Sequence, residues 1–150
     1  MLEMLGVLAI MGIITYGAIA GINYGMSSYK INQTYSEVQD IIHGVEDLYS
    51  WSKKYPTEAN DIMNAACVND VFSRECTNEK TEVMSAFGEI LVQAIDEGNN
   101  FSVTISITDS TERTRLAEMD WDGINIGHCC GGTSVSGHDC RANSCTFWPK

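Results

Sequence analysis

The sequence predicts an α+β fold: one long N-terminal helix packed against a small antiparallel sheet, with a disulfide-bonded C-terminal loop region. Three observations carry this expectation. The 19 residues from Met4 to Ile22 carry no charge, close to the ~20 apolar residues an α-helix needs to cross a bilayer. Behind them, Ile31, Tyr35, Val38, Ile41, Ile42, Val45, Leu48 and Tyr49 recur at three- and four-residue steps, which is one face of an amphipathic helix. Further on, Phe101 to Thr108 alternates apolar and hydroxyl-bearing residues without a break, the period of a strand with one buried face. The change of character divides the chain into 1–25, a hydrophobic half-helix suited to a membrane or to the core of an assembly, and 26–150, a head domain that includes the amphipathic half.

A cleaved signal peptide fits the first segment badly. Such peptides open with basic residues, whereas the first charge here is Glu3 and no lysine or arginine precedes Lys30. A plain membrane anchor explains the length and the hydrophobicity but not the glycines. Gly17, Gly21 and Gly25 follow at four-residue spacing, two overlapping GxxxG patterns that leave a smooth strip where another helix backbone can approach. In the amphipathic half, Asn32, Glu37, Asp40, Glu46 and Asp47 occupy the face opposite the stripe. Lys53 and Lys54 suit a helix C-terminus, and Tyr55 before Pro56 is biased out of the α region, which ends the helix. A helix of some 50 residues is about 75 Å long, more than a head of this size needs for its own core. The excess implies a membrane or further copies of the chain.

Residues 57–80 read as a connector with a short helix around Glu58 to Ala66, and Cys67 and Cys76 enclose eight residues, a good size for a local disulfide loop. Lys80 to Glu97 reads as a second helix, with Val83, Phe87, Ile90, Leu91, Ala94 and Ile95 on one side and Gly98-Asn99-Asn100 as its stop. After the Phe101 strand, Arg113 to Met119 is expected to be a second strand in preference to a short helix. Asp120 to Gly123 then forms a hairpin turn, and Gly123 to Cys129 a third strand, with Ile124 and Ile126 sharing a core with Val103 and Ile105. The end, Cys129 to Lys150, is rich in glycine and cysteine and too polar to hold its shape without crosslinks.

The net charge of −11 and pI near 4.5 repel nucleic acid and anionic headgroups within a Debye length, so no nucleic-acid binding is expected of the isolated subunit. Six cysteines in an acidic, exported-looking chain suggest an oxidising compartment. His128 and His138 beside Cys129, Cys130, Cys140 and Cys145 match a zinc site in composition, but the paired C-x2-C spacing is missing and disulfides are preferred. Adjacent Cys129 and Cys130 are not expected to pair with each other. They are assigned to Cys140 and Cys145 in an order the sequence leaves open, with Cys67 assigned to Cys76. Asp120 to Asn125 imitates part of a calcium loop without the later bidentate glutamate, and a turn is the preferred reading. Tyr24 and Tyr29 suit a membrane interface, Tyr35 and Tyr49 suit packing. No catalytic constellation stands out: His43 lies at the edge of the apolar stripe, and neither enzyme activity nor a cofactor is expected.

The opening residues, MLEMLGVLAIMGI, resemble the N-terminal signature of type IV pilins and pseudopilins, most closely the type IVb branch of PilS-like pilins. The shared features are a short apolar lead, a lone glutamate, and a helix rich in Val, Leu, Ile, Ala and Gly. The resemblance covers Met1 to about Gly25. In that family the glutamate follows the mature N-terminal residue by four positions, whereas Glu3 follows Met1 by two, so the mature start is expected two residues upstream. The helix-breaking proline of many relatives would fall near Ala20 and is missing here. The resemblance implies a precursor in the inner membrane, trimmed by a prepilin peptidase. Assembly machinery would then draw it into a helical homopolymer on the cell surface, with the apolar helices exchanging lipid for one another. It also implies a C-terminal disulfide-closed loop, and an assembly role for Glu3 as the partner of a subunit's free α-amino group. A type II secretion pseudopilin, and a single-pass anchored binding domain that never polymerises, are the competing readings.

Overall fold

A single helix, α1, runs from Leu2 to Tyr49, about 72 Å at the rise of an α-helix, and it passes Ala20 unbroken. The computed structural model describes residues 2–58, 61–72, 83–132, 135, 138 and 140–150, with only the backbone of Leu2 and Glu3. In the second half of α1 the expected stripe is the seat of the head. Ile31, Val38, Ile41, Ile42 and Val45 are all buried, and Tyr35, Leu48 and Tyr49 pack against the same core. The helix stops a little before the proline. Ser52 and Lys53 donate backbone hydrogen bonds to the Tyr49 carbonyl, and Lys53 takes the left-handed conformation that closes helix ends.

A short helix, α2 (Asp61–Val68), follows as expected and buries Ile62, Met63 and Ala66 against α1. The sheet has five strands: β1 (Val83–Met84), β2 (Glu89–Ile95), β3 (Asn100–Ser106), β4 (Ile126–Cys130) and β5 (Ser144–Pro149), in spatial order β1-β2-β3-β5-β4. Every pairing is antiparallel. Phe101, Val103, Ile105 and Ile107 all point into the core and are at most 1% exposed, as the alternation around β3 predicts.

Three expectations are corrected. The second helix expected over Lys80 to Glu97 is instead β1, a turn and β2 over its described part (residues 80–82 lie outside it). Ile90 and Val92 face the core while Glu89 and Gln93 face out, a two-residue period that the clustered apolar residues hid. Ser85 makes the break: its hydroxyl accepts from the amides of Phe87 and Gly88 and donates to the Gly88 carbonyl. Arg113 to Met119 is not a strand but lies within and just after a third helix, α3 (Ser110–Ala117), capped by the Asp109 carboxylate accepting from the amides of Thr111 and Glu112. The Asp120 to Gly123 segment accordingly leads out of a helix rather than joining two strands, and Asp122–Ile124 forms a single 3-10 turn. Lastly, the C-terminal stretch is not held by crosslinks alone. Ser144–Pro149 forms β5 between β3 and β4, buried on both faces except at Pro149.

Trp121 is the wedge that joins these layers. Its ring, 1% exposed, lies 4.6 Å from Tyr35 of α1 and 4.5 Å from Phe147 of β5. Its indole N–H donates to the Leu116 carbonyl, so burial leaves no polar atom of the ring unsatisfied. Tyr35 in turn donates to the Asp120 carbonyl at 3.0 Å.

Candidate functional site

The residues that the head leaves uncovered form the candidate site. Between Met4 and Met26 every large apolar or aromatic side chain is more than half exposed, up to 79% at Tyr16. The most apolar 18-residue window of α1 has a mean hydropathy of 2.1, and none of it is buried. Fully burying a side chain of this kind is worth about 1.5–3 kcal/mol, so bare water is not the medium this surface is built for. By length and composition the helix can cross a membrane. The polar groups along it are consistent with an apolar surrounding. Thr15, within the bare stretch, donates to the Met11 carbonyl at 2.8 Å, which satisfies its O–H inside the helix, as an apolar medium requires.

The glycines separate the two halves of α1. A Cβ built on Gly17, Gly21 or Gly25 would meet nothing within 4 Å. Gly44, in the packed half, is different: a Cβ there would come within 2.5 Å of Val71 Cγ1. Gly44 is thus explained by close packing inside the chain, whereas no intramolecular contact among the described residues explains the three-glycine strip. Beside its lower end, Gly25, Met26, Tyr29, Lys30 and Ala86 border a shallow notch of about 370 Å³ where the bare half meets the head. Glu3 lies in the first turn of α1; its side chain is outside the described residues.

A clasp that the sequence did not disclose holds the junction. Arg115 of α3 donates to the hydroxyls of Ser27 at 3.0 Å and Ser28 at 2.9 Å, and its guanidinium lies 5.0 Å from the centre of the Tyr24 ring. The clasp depends on α3 being a helix, and the local signal for that was present. Asp109 followed three residues later by Glu112 is a helix-start pattern. The Glu112 amide, then that of Thr111, holds the Asp109 carboxyl below its ordinary pKa.

The C-terminal cysteines form Cys129–Cys140 and Cys130–Cys145, which resolves the order and excludes zinc at these four sulfurs. The strand period explains the choice. Neighbours on β4 point to opposite faces, and Cys130 stands directly opposite Cys145 on β5, within the main core. Cys129 faces the other way and joins Cys140 and Trp148 in a second, smaller cluster. Gly127 on the same outer face leaves room for the Trp148 indole, which a Cβ would strike. Cys67 is disulfide-bonded; its expected partner Cys76 lies outside the described residues. The acidic turn is already engaged, since Asp120 accepts from the Gly123 amide and Lys150 pairs with Asp122, lowering its pKa. Among the described residues no group of acidic, histidine and cysteine side chains is arranged to hold a metal. His43 is an exposed residue 3.6 Å from Glu46.

Neither known family models, nor curated proteins, nor solved structures yield a match to this chain.

Proposed function

We propose that this chain is a pilin-like structural subunit that polymerises through the bare half of α1 into a filament of the type IV class. The observation that carries this reading is the pairing of apolar side chains more than half exposed from Met4 to Met26 with a glycine strip that touches nothing among the described residues. A lipid bilayer alone would satisfy the apolar side chains, but it has no use for a strip that lets backbones approach. Helix–helix contact does. The resemblance of the first residues to pilins points the same way, as does the notch where that strip reaches the head. On this reading the subunit waits in the inner membrane and is trimmed by a prepilin peptidase. The assembly machinery then moves it to a surface fibre. Glu3 there meets a subunit α-amino group, because an unpaired carboxylate among apolar helices costs several kcal/mol.

The test is to express the full chain in cells that carry a type IV assembly system and to image sheared material by electron microscopy. Fibres containing the chain are expected, with Gly21→Leu reducing their number while leaving the head folded. Glu3→Gln is expected to impair assembly less than Glu3→Leu, since the amide still hydrogen-bonds. Short fibres seen only on overexpression would favour a secretion pseudopilin. Membrane-embedded monomers with no fibres would favour an anchored domain and end this proposal.

A further inference from the structure

The face of the sheet turned away from α1 is not flat. On this face Cys140 is joined to Cys129, and the His138 ring stacks on Trp148 at 3.9 Å. The result is a recess of about 300 Å³, at the small end of the range of ligand sites. Three hydroxyls line it beside the apolar Leu91 and Ile95. Ser102 and Thr104 come from β3 and Thr146 from β5, with Ser102 and Thr146 buried. Thr104 and Thr146 share one hydrogen bond at 3.2 Å, which leaves the pair one O–H and several lone pairs to offer. Because β3 lies between β2 and β5, the two walls come from different parts of the chain: Gln93 and Asp96 on one side, His138 and Arg141 on the other.

None of the side chains of Gln93, Asp96, Ser102 and Arg141 makes a hydrogen bond or ion pair with the described residues. Amide, carboxylate, hydroxyl and guanidinium thus converge on one recess with their bonding capacity unspent. A floor of mixed donors and acceptors matches the hydroxyls of a sugar ring, and an unpaired guanidinium matches a carboxylate in bidentate geometry. We propose that this recess binds a single acidic sugar residue, of the uronic or sialic type. Its carboxylate sits on Arg141, and its ring hydroxyls sit on Thr104, Thr146 and Gln93. The one carboxylate among the described residues of the recess, Asp96, stands on the wall opposite Arg141, where it accepts from a ring hydroxyl of the sugar. Repulsion from the more distant carboxylates of a chain of net charge −11 is screened beyond about 8 Å at physiological ionic strength. The site stands apart from the bare helix, so it does not depend on assembly.

The full chain, isotope-labelled and held in detergent micelles, would be titrated with methyl glucuronide, methyl glucoside and acetate while backbone amide shifts are followed. Saturable shifts at Ser102, Thr104, Thr146 and Arg141 are expected with the glucuronide. Losing a charge-assisted bond should weaken binding about tenfold to a hundredfold in Arg141→Gln, with the weaker glucoside binding unchanged. Thr104→Val should weaken both sugars. Acetate matching the glucuronide would reduce the site to a plain anion contact and overturn the proposal. So would shifts that do not saturate, or an Arg141→Gln variant that binds the glucuronide as the parent does.

Discussion

The two halves of α1 are continuous in backbone and opposite in circumstance. From Ile31 onward, apolar residues are buried at helical spacing, and the one glycine, Gly44, is small because Val71 lies against it. From Met4 to Met26 apolar residues cover all sides, and the glycines border empty space. A helix that is apolar on one stripe is finished by its own domain. One that is apolar all round needs surroundings that its chain does not supply. The contrast teaches that the same residue type carries different information in the two places: Gly44 describes a contact already made, and Gly21 one still to be made.

This contrast can be broken by experiment. Ile42→Ala should destabilise the head by about 2–5 kcal/mol, the usual cost of a truncated core side chain. Ile14→Ala should leave the head within about 0.5 kcal/mol of the parent; urea unfolding followed by tryptophan fluorescence in detergent compares the two. A stability loss at Ile14 like that at Ile42 would mean that the bare half packs on the head after all. Gly44→Ala should cost about 1–3 kcal/mol by overpacking against Val71. Gly21→Ala should instead favour the helix by up to about 1 kcal/mol, read as increased helicity by circular dichroism without a shift of the head's midpoint.

A smaller effect is expected at the junction. Arg115→Met removes two hydrogen bonds and the ring contact to Tyr24, on the order of 1–2 kcal/mol locally. Faster amide exchange across residues 24–30, with an unchanged midpoint, would identify Arg115 as the clasp between the halves. The smallest effect concerns pH. His128, half-buried with its ring 6.0 Å from Trp121, is held below its ordinary pKa chiefly by desolvation. The unfolded chain therefore takes up the proton first. The head should be fully stable above about pH 6.5 and weaken as pH falls below it toward the folded value. His128→Asn should flatten that slope in melts between pH 7.5 and 5, while the helicity of the bare half stays constant.

Where one face of an element is buried and the other wet, the sequence was readable. The Ile31–Tyr49 stripe and the Phe101–Ile107 alternation each reflect such a boundary. β5 has no such boundary: Cys145 and Phe147 enter the main core, while Trp148 is covered by Cys140. A strand covered on both sides shows no alternation, and SCTFWP passed for a polar tail. α3 failed for the opposite reason, because Leu116 is its one buried residue and a single point defines no period. The bare half-helix was legible because its apolar residues run on all sides without a charge from Met4 to Ile22, a signal that needs no packing partner. Arg115 was not, since its partners lie 87 and 88 residues away, and the recess on the outer face of the sheet depends on strand order in the same way.

The position of β5 also governs when the molecule can exist as a fold. It is the last strand in sequence, yet it separates β3 from β4, so β4 has no ladder partner until β5 is made. At ~5–20 residues per second, synthesis reaches Pro149 roughly 6–25 s after Met26. Throughout that interval the apolar half of α1 is complete and the sheet is at most β1 to β3. Targeting of the helix can therefore run ahead of folding of the head. The bond between Cys130 and Cys145, which stand opposite each other on β4 and β5, then ties the last strand to its neighbour.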